Sequence, residues 1–549
     1  MSHPNTALAD PPPEAAEAQA RRAGTALGYH QRTKHTLKAY AAGPETLDWD
    51  AQPDPFRTYD GAPARALPLT ARALDTRFCD LFGSDAPPPA PLGRDSVAAL
   101  LELSFGLSAF KQLGPDRWAV RANPSSGNLH PTEAYVLARG VAGLDDGVHH
   151  YVSRDHALER RARLAPGPAR LLIGLSSVAW REAWKYGERA FRYCQLDTGH
   201  ALGALIHAAA ALGWRVRLVP AGAGALAALL GLDRAADFAG GAEREDPELL
   251  AEILVGAPAP EGLPALAADP DWRGHANLLD RHPLYRWPVI DAVSVATAAP
   301  DAAPQPEAGP ARPVAPPAPP PPDGGGAVRA AALILGRRSA QRFDTRAMLP
   351  AADFFRLLAA LDPGAPAFSV WDFAPRLHPV LFVHRVEGLP RGVYALPRRP
   401  GMAGTLKAAM RADFDWSPAP GAPDHLPLFC LAEADARGVA RTVCCHQAIA
   451  GDGAFSLALL AEFAPLVARD PWRYRQLHWE AGLLGQALYL AAEAAGIRGT
   501  GIGCYFDDEV HRLLGLAGAD LQSLYHFTVG TPLDDPRILS EPAYAGRPL

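Results

Sequence analysis

Asn123-Pro124-Ser125-Ser126-Gly127-Asn128-Leu129-His130-Pro131 runs into the apolar stretch Ala134-Tyr135-Val136-Leu137, and its Leu-His-Pro triplet returns as Leu377-His378-Pro379. The apolar stretch reads as a strand. The two triplets lie 377 − 129 = 248 positions apart. Working outward, Val141–Tyr151 (VAGLDDGVHHY) parallels Val386–Leu396 (VEGLPRGVYAL). Each reads as an extended segment, a Gly-containing turn and another extended segment. Further on, a helix-like stretch after Asp197 parallels one after Glu480. Gly199 matches Gly482, Gly213 matches Gly496 and Arg215 matches Arg498, all at an offset of 283. Both stretches carry Ala/Leu-rich periodic faces and end at a glycine, a natural helix C-cap. Leu-Leu-Gly-Leu recurs at 229–232 and 513–516. Chance similarity in an Ala/Leu-rich chain is the competing explanation. The shared order of the matches favours a duplicated α+β domain.

A chain of 549 residues is too long for one ordinary core, which agrees with two domains. The boundaries follow from composition. Residues 1–24 are rich in Pro, Ala and Glu and read as a disordered tail. Residues 297–326 contain a Pro/Ala-rich spacer closed by three glycines and read as a linker. The folded domains are then expected at 25–296 and 327–549.

Net charge is −6, with no domain-wide basic excess, which argues against a general nucleic-acid binder. Six cysteines without regular spacing suit a reduced, cytoplasmic setting better than a disulfide framework. The N-terminal stretch has no apolar core of a secretory signal, and no apolar run is long enough to span a membrane.

Three segments carry polar chemistry. Small hydroxyl residues and Gly127 in the 123–131 stretch let backbone and side-chain donors approach a flat ligand. An ordinary surface turn has the same composition. Arg337-Arg338-Ser339-Ala340-Gln341-Arg342 clusters guanidinium groups and a hydroxyl suited to a phosphate, or forms a solvated helix end. Gly499-Thr500-Gly501-Ile502-Gly503-Cys504 reads as a Gly-rich loop that packs against something flat or anionic. It lacks the strand–loop–helix order of a dinucleotide fingerprint. Cys444-Cys445-His446 is a poor metal set, because adjacent cysteines do not easily share one tetrahedral site; no metal is expected.

At these residues the chain resembles the FMN-dependent nitroreductase family. NPSSGNLHP is similar to the family's flavin-ring loop, RRSAQRF to its phosphate motif, and IGCYFDDEV followed by YHFTVG to its C-terminal end. More narrowly it resembles tandem SagB/ThcOx-type dehydrogenases, a branch that includes oxidases turning thiazolines and oxazolines into azoles. That likeness is carried by Tyr29–Tyr40 with Leu47–Arg57, Trp184–His200, Cys444–Ser456 and Arg473–Leu490. The family commonly has an arginine where Gln341 stands, with Arg342 adjacent here.

The resemblance implies two nitroreductase-like domains paired as an intramolecular pseudo-dimer, with one composite FMN site. The ring loop would come from the first half (Pro124, Ser125, Ser126, Asn128). The phosphate side would come from the second (Arg337, Arg338, Ser339, Arg342), with Gly503, Cys504 and Arg537. Each half lacks what the other keeps: Ala374-Pro375-Arg376 stands where a second ring loop would be, and Phe78-Cys79-Asp80-Leu81 has no arginine cluster. Lys185 and Tyr186 match a Lys-Tyr pair near the flavin in azole-forming relatives, and are the catalytic candidates beside a plain packing role. The implied reaction is hydride transfer through flavin from a small-molecule or peptide substrate, including azoline oxidation. The alternatives are an NAD(P)H-dependent nitro or quinone reductase, and a non-catalytic flavin- or partner-binding protein. The sequence leaves the oligomeric state beyond the pseudo-dimer open.

Overall fold

Two helices of 22 residues each, Ala190–Ala211 and Arg473–Ala494, stand 473 − 190 = 283 positions apart, the offset read from the repeated glycines. They lie against each other in the middle of the molecule. Their closest approach is at Gly199 and Gly482, where a Cβ on Gly482 would come within 2.9 Å of the Gly199 Cα. A side chain at either position would push the backbones apart, so glycine is required there. Both helices are buried nearly all round, which explains why their apolar periodicity is diffuse. The computed structural model describes residues 13–256, 260–301, 328–371 and 373–546.

On each side of the helix pair lies a seven-stranded sheet in which every strand pair is antiparallel. In the first sheet the strands run in the order 64–66, 157–162, 147–152, 132–139, 170–177, 246–254, 215–218. In the second they run 417–418, 429–433, 392–395, 377–383, 455–462, 521–530, 498–502. Six of the seven positions are filled in the same chain order, and the Leu-His-Pro triplets open or precede the corresponding strands 132–139 and 377–383. One edge differs: strand 64–66 comes before its sheet in sequence, whereas 417–418 comes within it. A single apolar cluster runs through both sides, joining Leu202 and Leu205 to Leu483, Leu484 and Leu488.

The ends of the chain cross between the sides. Helix Pro13–Arg32 packs against helix Ala464–Arg469 and helix Pro288–Ala296, and Arg22 donates to the Ala296 carbonyl at 2.9 Å. Strand Leu539–Glu541 joins the hairpin formed by Leu107–Leu113 and Asp116–Arg121. Buried ion pairs tie the sides further: Asp507 accepts from Arg189 (2.9 Å) and Arg192 (2.7 Å), and Glu248 from Arg475 (2.6 Å).

Three expectations need correction. Residues 13–24 are helical rather than disordered, because Ala, Glu and Gln are good helix formers and this helix has a surface to dock on. The remainder of the tail, residues 1–12, lies outside the described residues. The linker does not begin at Thr297: that side chain is fully buried, its hydroxyl accepts from Arg475, and residues 297–301 pack on the first half. Residues 302–327 lie outside the described residues. The Gly-rich segment is an edge strand, Arg498–Ile502, and not a loop. Among the described residues no helix is long and apolar enough to cross a membrane.

Candidate functional site

The 123–130 stretch leaves the Leu107–Arg121 hairpin and turns sharply before strand 132–139. Gly127, Asn128 and His130 adopt φ of 60°, 60° and 54°, a left-handed geometry that costs a non-glycine residue roughly 1–2 kcal/mol. Side chains hold the turn. Asn128 Nδ2 donates to the Ala119 carbonyl at 2.8 Å, and Ser125 Oγ accepts from the His130 amide at 2.8 Å. The Ser126 amide and hydroxyl both donate to Asp197 Oδ1, at 3.1 and 3.0 Å.

This turn forms one wall of a cavity of about 710 Å³, within the range of small-ligand sites. Arg337, Arg338 and Ser339, just past the end of helix Ala330–Gly336, and the strand end Gly501–Cys504 line the same cavity. Arg337 is buried; its Nε donates to the Ala122 carbonyl at 3.3 Å and its guanidinium stacks over the Tyr489 ring at 4.9 Å. Its Nη1 is buried without a protein partner. Burial lowers the Arg337 pKa and draws that of Arg338 down to about 10. Among the described residues no carboxylate pairs with the Arg338 guanidinium: it donates to Ser108 Oγ at 3.1 Å and to carbonyls, while its amide donates to Glu493 at 2.9 Å. Lys111 and Arg498 also line the cavity, and Arg498 is held by Asp534. A desolvated cationic cluster with an unfilled donor fits a phosphate-like anion.

Other groups that line or back the cavity are acidic or phenolic. Asp197 lines the cavity and burial pushes its pKa up to about 7. Glu182 is fully buried, its Oε2 has no protein partner, and burial together with Asp197 pushes its pKa well up. Tyr186 lines the cavity, and burial raises its phenol well above the ordinary value. Lys185 is half-buried, with its ammonium 5.4 Å from the Trp49 ring; burial lowers its pKa and Glu182 opposes that.

Of the residues singled out from sequence, Pro124, Ser125, Ser126, Asn128, Tyr186, Arg337, Arg338, Ser339, Gly503 and Cys504 line this one cavity. Lys185 stands behind its wall, close to Gly127. Arg342 and Arg537 do not line it. Arg342 is exposed, and the exposed Arg537 is paired with Asp535 at 2.6 Å. Among the described residues no three His, Cys, Asp or Glu side chains converge as a metal site.

Residues 431–531, spanning the second half's strand 455–462 through its cavity-lining strands, match the Nitroreductase family. A nitroreductase-named structure from Anabaena variabilis superposes with a TM-score of 0.66 at 22% identity, covering 93% of this chain and 99% of that one. The chain has a nitroreductase-like fold. Two curated relatives add local likeness. A nitroreductase-named protein of Methanocaldococcus jannaschii is 26% identical over 127 residues, which is 20% of this chain and 60% of that protein. The trifolitoxin-processing protein TfxB of Rhizobium leguminosarum bv. trifolii is 28% identical over 168 residues, 27% of this chain and 45% of that protein. The match thus spans about half the length of these curated relatives.

Several residues that line the cavity carry no site signal in the sequence. Asp197 and Arg498 stood inside the repeated segments and were treated only as repeat markers. Glu182, which the sequence offers as a surface salt-bridge partner of Lys185, is instead fully buried behind the cavity wall. Lys111 carried no signal at all, because only the hairpin's folding brings it to the cavity.

Proposed function

We propose that this protein is an FMN-dependent oxidoreductase built from two nitroreductase-like domains that pair within one chain around a single composite site. One observation carries the reading: the turn at 123–130 and the arginines at 337–338 line one cavity, although they are 337 − 123 = 214 positions apart. The repeated helices and sheet order support the pseudo-dimer.

The cavity suits FMN. Arg337 and Arg338, with Ser339, Lys111 and Arg498, would hold its phosphate, and the polar atoms of residues 124–128 would meet its ring. When bound, FMN supplies a site that accepts or gives up a hydride. The chain's own groups handle the protons. Lys185, with its lowered pKa, takes a proton from a substrate carbon next to the one that loses hydride. Tyr186 stays protonated and donates a hydrogen bond to a developing negative charge. Arg121, His130 and Trp118 close the cavity's hairpin side.

For the substrate, the likeness to a toxin-processing protein and the Lys185-Tyr186 pair support oxidation of peptide azolines to azoles. The Nitroreductase family match supports the second reading, NAD(P)H-dependent reduction of a nitro compound or quinone. Work in a reducing cytoplasm accords with six free cysteines. Purified protein should be yellow and release about one FMN per chain; two per chain would end the composite-site reading. Rapid bleaching by NAD(P)H separates the reductase from the azoline oxidase.

A further inference from the structure

Cys445 and Cys504 come from segments 504 − 445 = 59 positions apart, and two straps hold those segments together. The Phe506 amide donates to the Val443 carbonyl at 2.7 Å. The Gln447 side-chain amide donates to both the Cys444 carbonyl (2.9 Å) and the Cys504 carbonyl (3.0 Å). Between these straps Cys445 and His446 adopt φ of 52° and 61°, a left-handed turn without glycine. That turn brings the Cys445 thiol beside the Cys504 thiol. Cys444 points elsewhere: its buried sulfur lies 3.3 Å from His526 Nδ1. Both contacting cysteines are partly accessible, and Cys504 lines the cavity.

The surroundings favour a thiolate on one member of the pair. Cys504 receives hydrogen bonds from Cys445 and from His35, with the Arg189 guanidinium nearby, and these hold its pKa below the ordinary thiol value. The same contact and burial push the Cys445 thiol up; the Tyr40 hydroxyl lies beside it. A thiolate paired with a neighbouring thiol is the arrangement of a reactive and a resolving cysteine.

We propose that Cys445 and Cys504 form a reversible redox pair on the cavity wall, closed to a disulfide by hydrogen peroxide. The Cys504 thiolate attacks one peroxide oxygen; the O–O bond breaks, hydroxide leaves, and Cys504 becomes a sulfenic acid. The Cys445 sulfur then attacks the Cys504 sulfur. The S–S bond forms, and the sulfenic oxygen leaves as water with the proton of the Cys445 thiol. In sum two thiols and one peroxide give one disulfide and two waters. A dithiol reductant reverses the step by exchange. The disulfide would fix the 443–447 turn to the cavity wall and remove the thiolate's charge from it.

The chemistry is testable on the full-length protein whether or not it holds FMN. After hydrogen peroxide treatment, thiol titration in denaturant should fall from six free cysteines to four, and dithiothreitol should restore them. Peptide mapping without reduction should show a Cys445–Cys504 link, and Cys445→Ser should instead leave a dimedone-reactive sulfenic acid at Cys504. A link between other cysteines, oxidation of Cys504 to sulfinic acid without a link, or modification at Cys79 alone would overturn the proposal. Because the mapping needs no flavin, its failure is separate from failure of the FMN reading.

Discussion

Gly127 lies so close beneath Tyr186 that a Cβ on it would come within 2.5 Å of the phenol oxygen, and within 3.2 Å of the Lys185 ammonium. The turn that faces the ligand space and the pair expected to do the proton chemistry are therefore one packed unit. A methyl group at 127 would have to move the tyrosine and would also have to sit at a φ of 60°.

Gly127→Ala should therefore lose roughly 1–3 kcal/mol of stability, from backbone strain and overpacking. Part of that loss should be recovered in Gly127→Ala with Tyr186→Phe, because the hydroxyl is the nearest clash. Denaturant unfolding of both single variants and the double variant checks it. Strictly additive effects would mean that the two residues are not in contact.

Arg337→Ala with Arg338→Ala should fold and lose its flavin. Each charge-assisted contact to phosphate is worth roughly 1.5–3 kcal/mol, so the pair should weaken binding by about two to four decades. Fluorescence titration of the stripped protein with FMN measures this. Unchanged affinity would return these arginines to a structural role, capping the Ala122 and Leu335 carbonyls they already reach.

How much of this was legible beforehand varied by residue for physical reasons. The 283-residue offset found the two central helices because their glycines are fixed by backbone contact at Gly199 and Gly482, which no substitution can mimic. The turn at 123–130 and the arginines at 337–338 were visible as composition. Their meeting at one cavity is a long-range fact that composition does not encode. Arg342 and Arg537 looked equally suitable because sequence shows charge and not direction; Asp535 decides where Arg537 points. Residues 13–24 looked disordered because the docking surface, helix Ala464–Arg469, lies far away in sequence.

The pH dependence of stability should carry a signature of Asp197. Burial raises its folded pKa to about 7 from the ordinary 3.8, so the folded state binds its proton more tightly than the unfolded chain. The contribution is fully present below about pH 4 and is lost as pH rises through about 7. Asp197→Asn should flatten the stability profile across that window. Thermal melts of wild type and variant from pH 4 to pH 8 test it. An unchanged slope in the variant would show that Asp197 ionises normally, held by its two bonds from Ser126.

Lys185→Ala and Tyr186→Phe should leave flavin content intact and slow substrate-dependent flavin reduction. Tyr186 lines the cavity and Lys185 stands behind its wall beside Gly127, on the turn and not among the arginines proposed to hold the phosphate. Removing a general acid or base costs about 10²- to 10⁴-fold in rate. A packing tyrosine that loses its hydroxyl would instead lower the melting temperature and leave the rate alone. The two outcomes separate in one experiment, single-turnover reduction alongside thermal melting of the same variant. An azoline-containing peptide is the demanding substrate, because loss of hydride there must be accompanied by loss of a proton, the step proposed for Lys185. With NAD(P)H as donor no carbon-bound proton is removed, so the Lys185 variant should reduce at close to the wild-type rate. A Lys185 variant slowed equally with both donors would point to a displaced ring loop at Gly127, and loss of flavin from it would confirm that displacement.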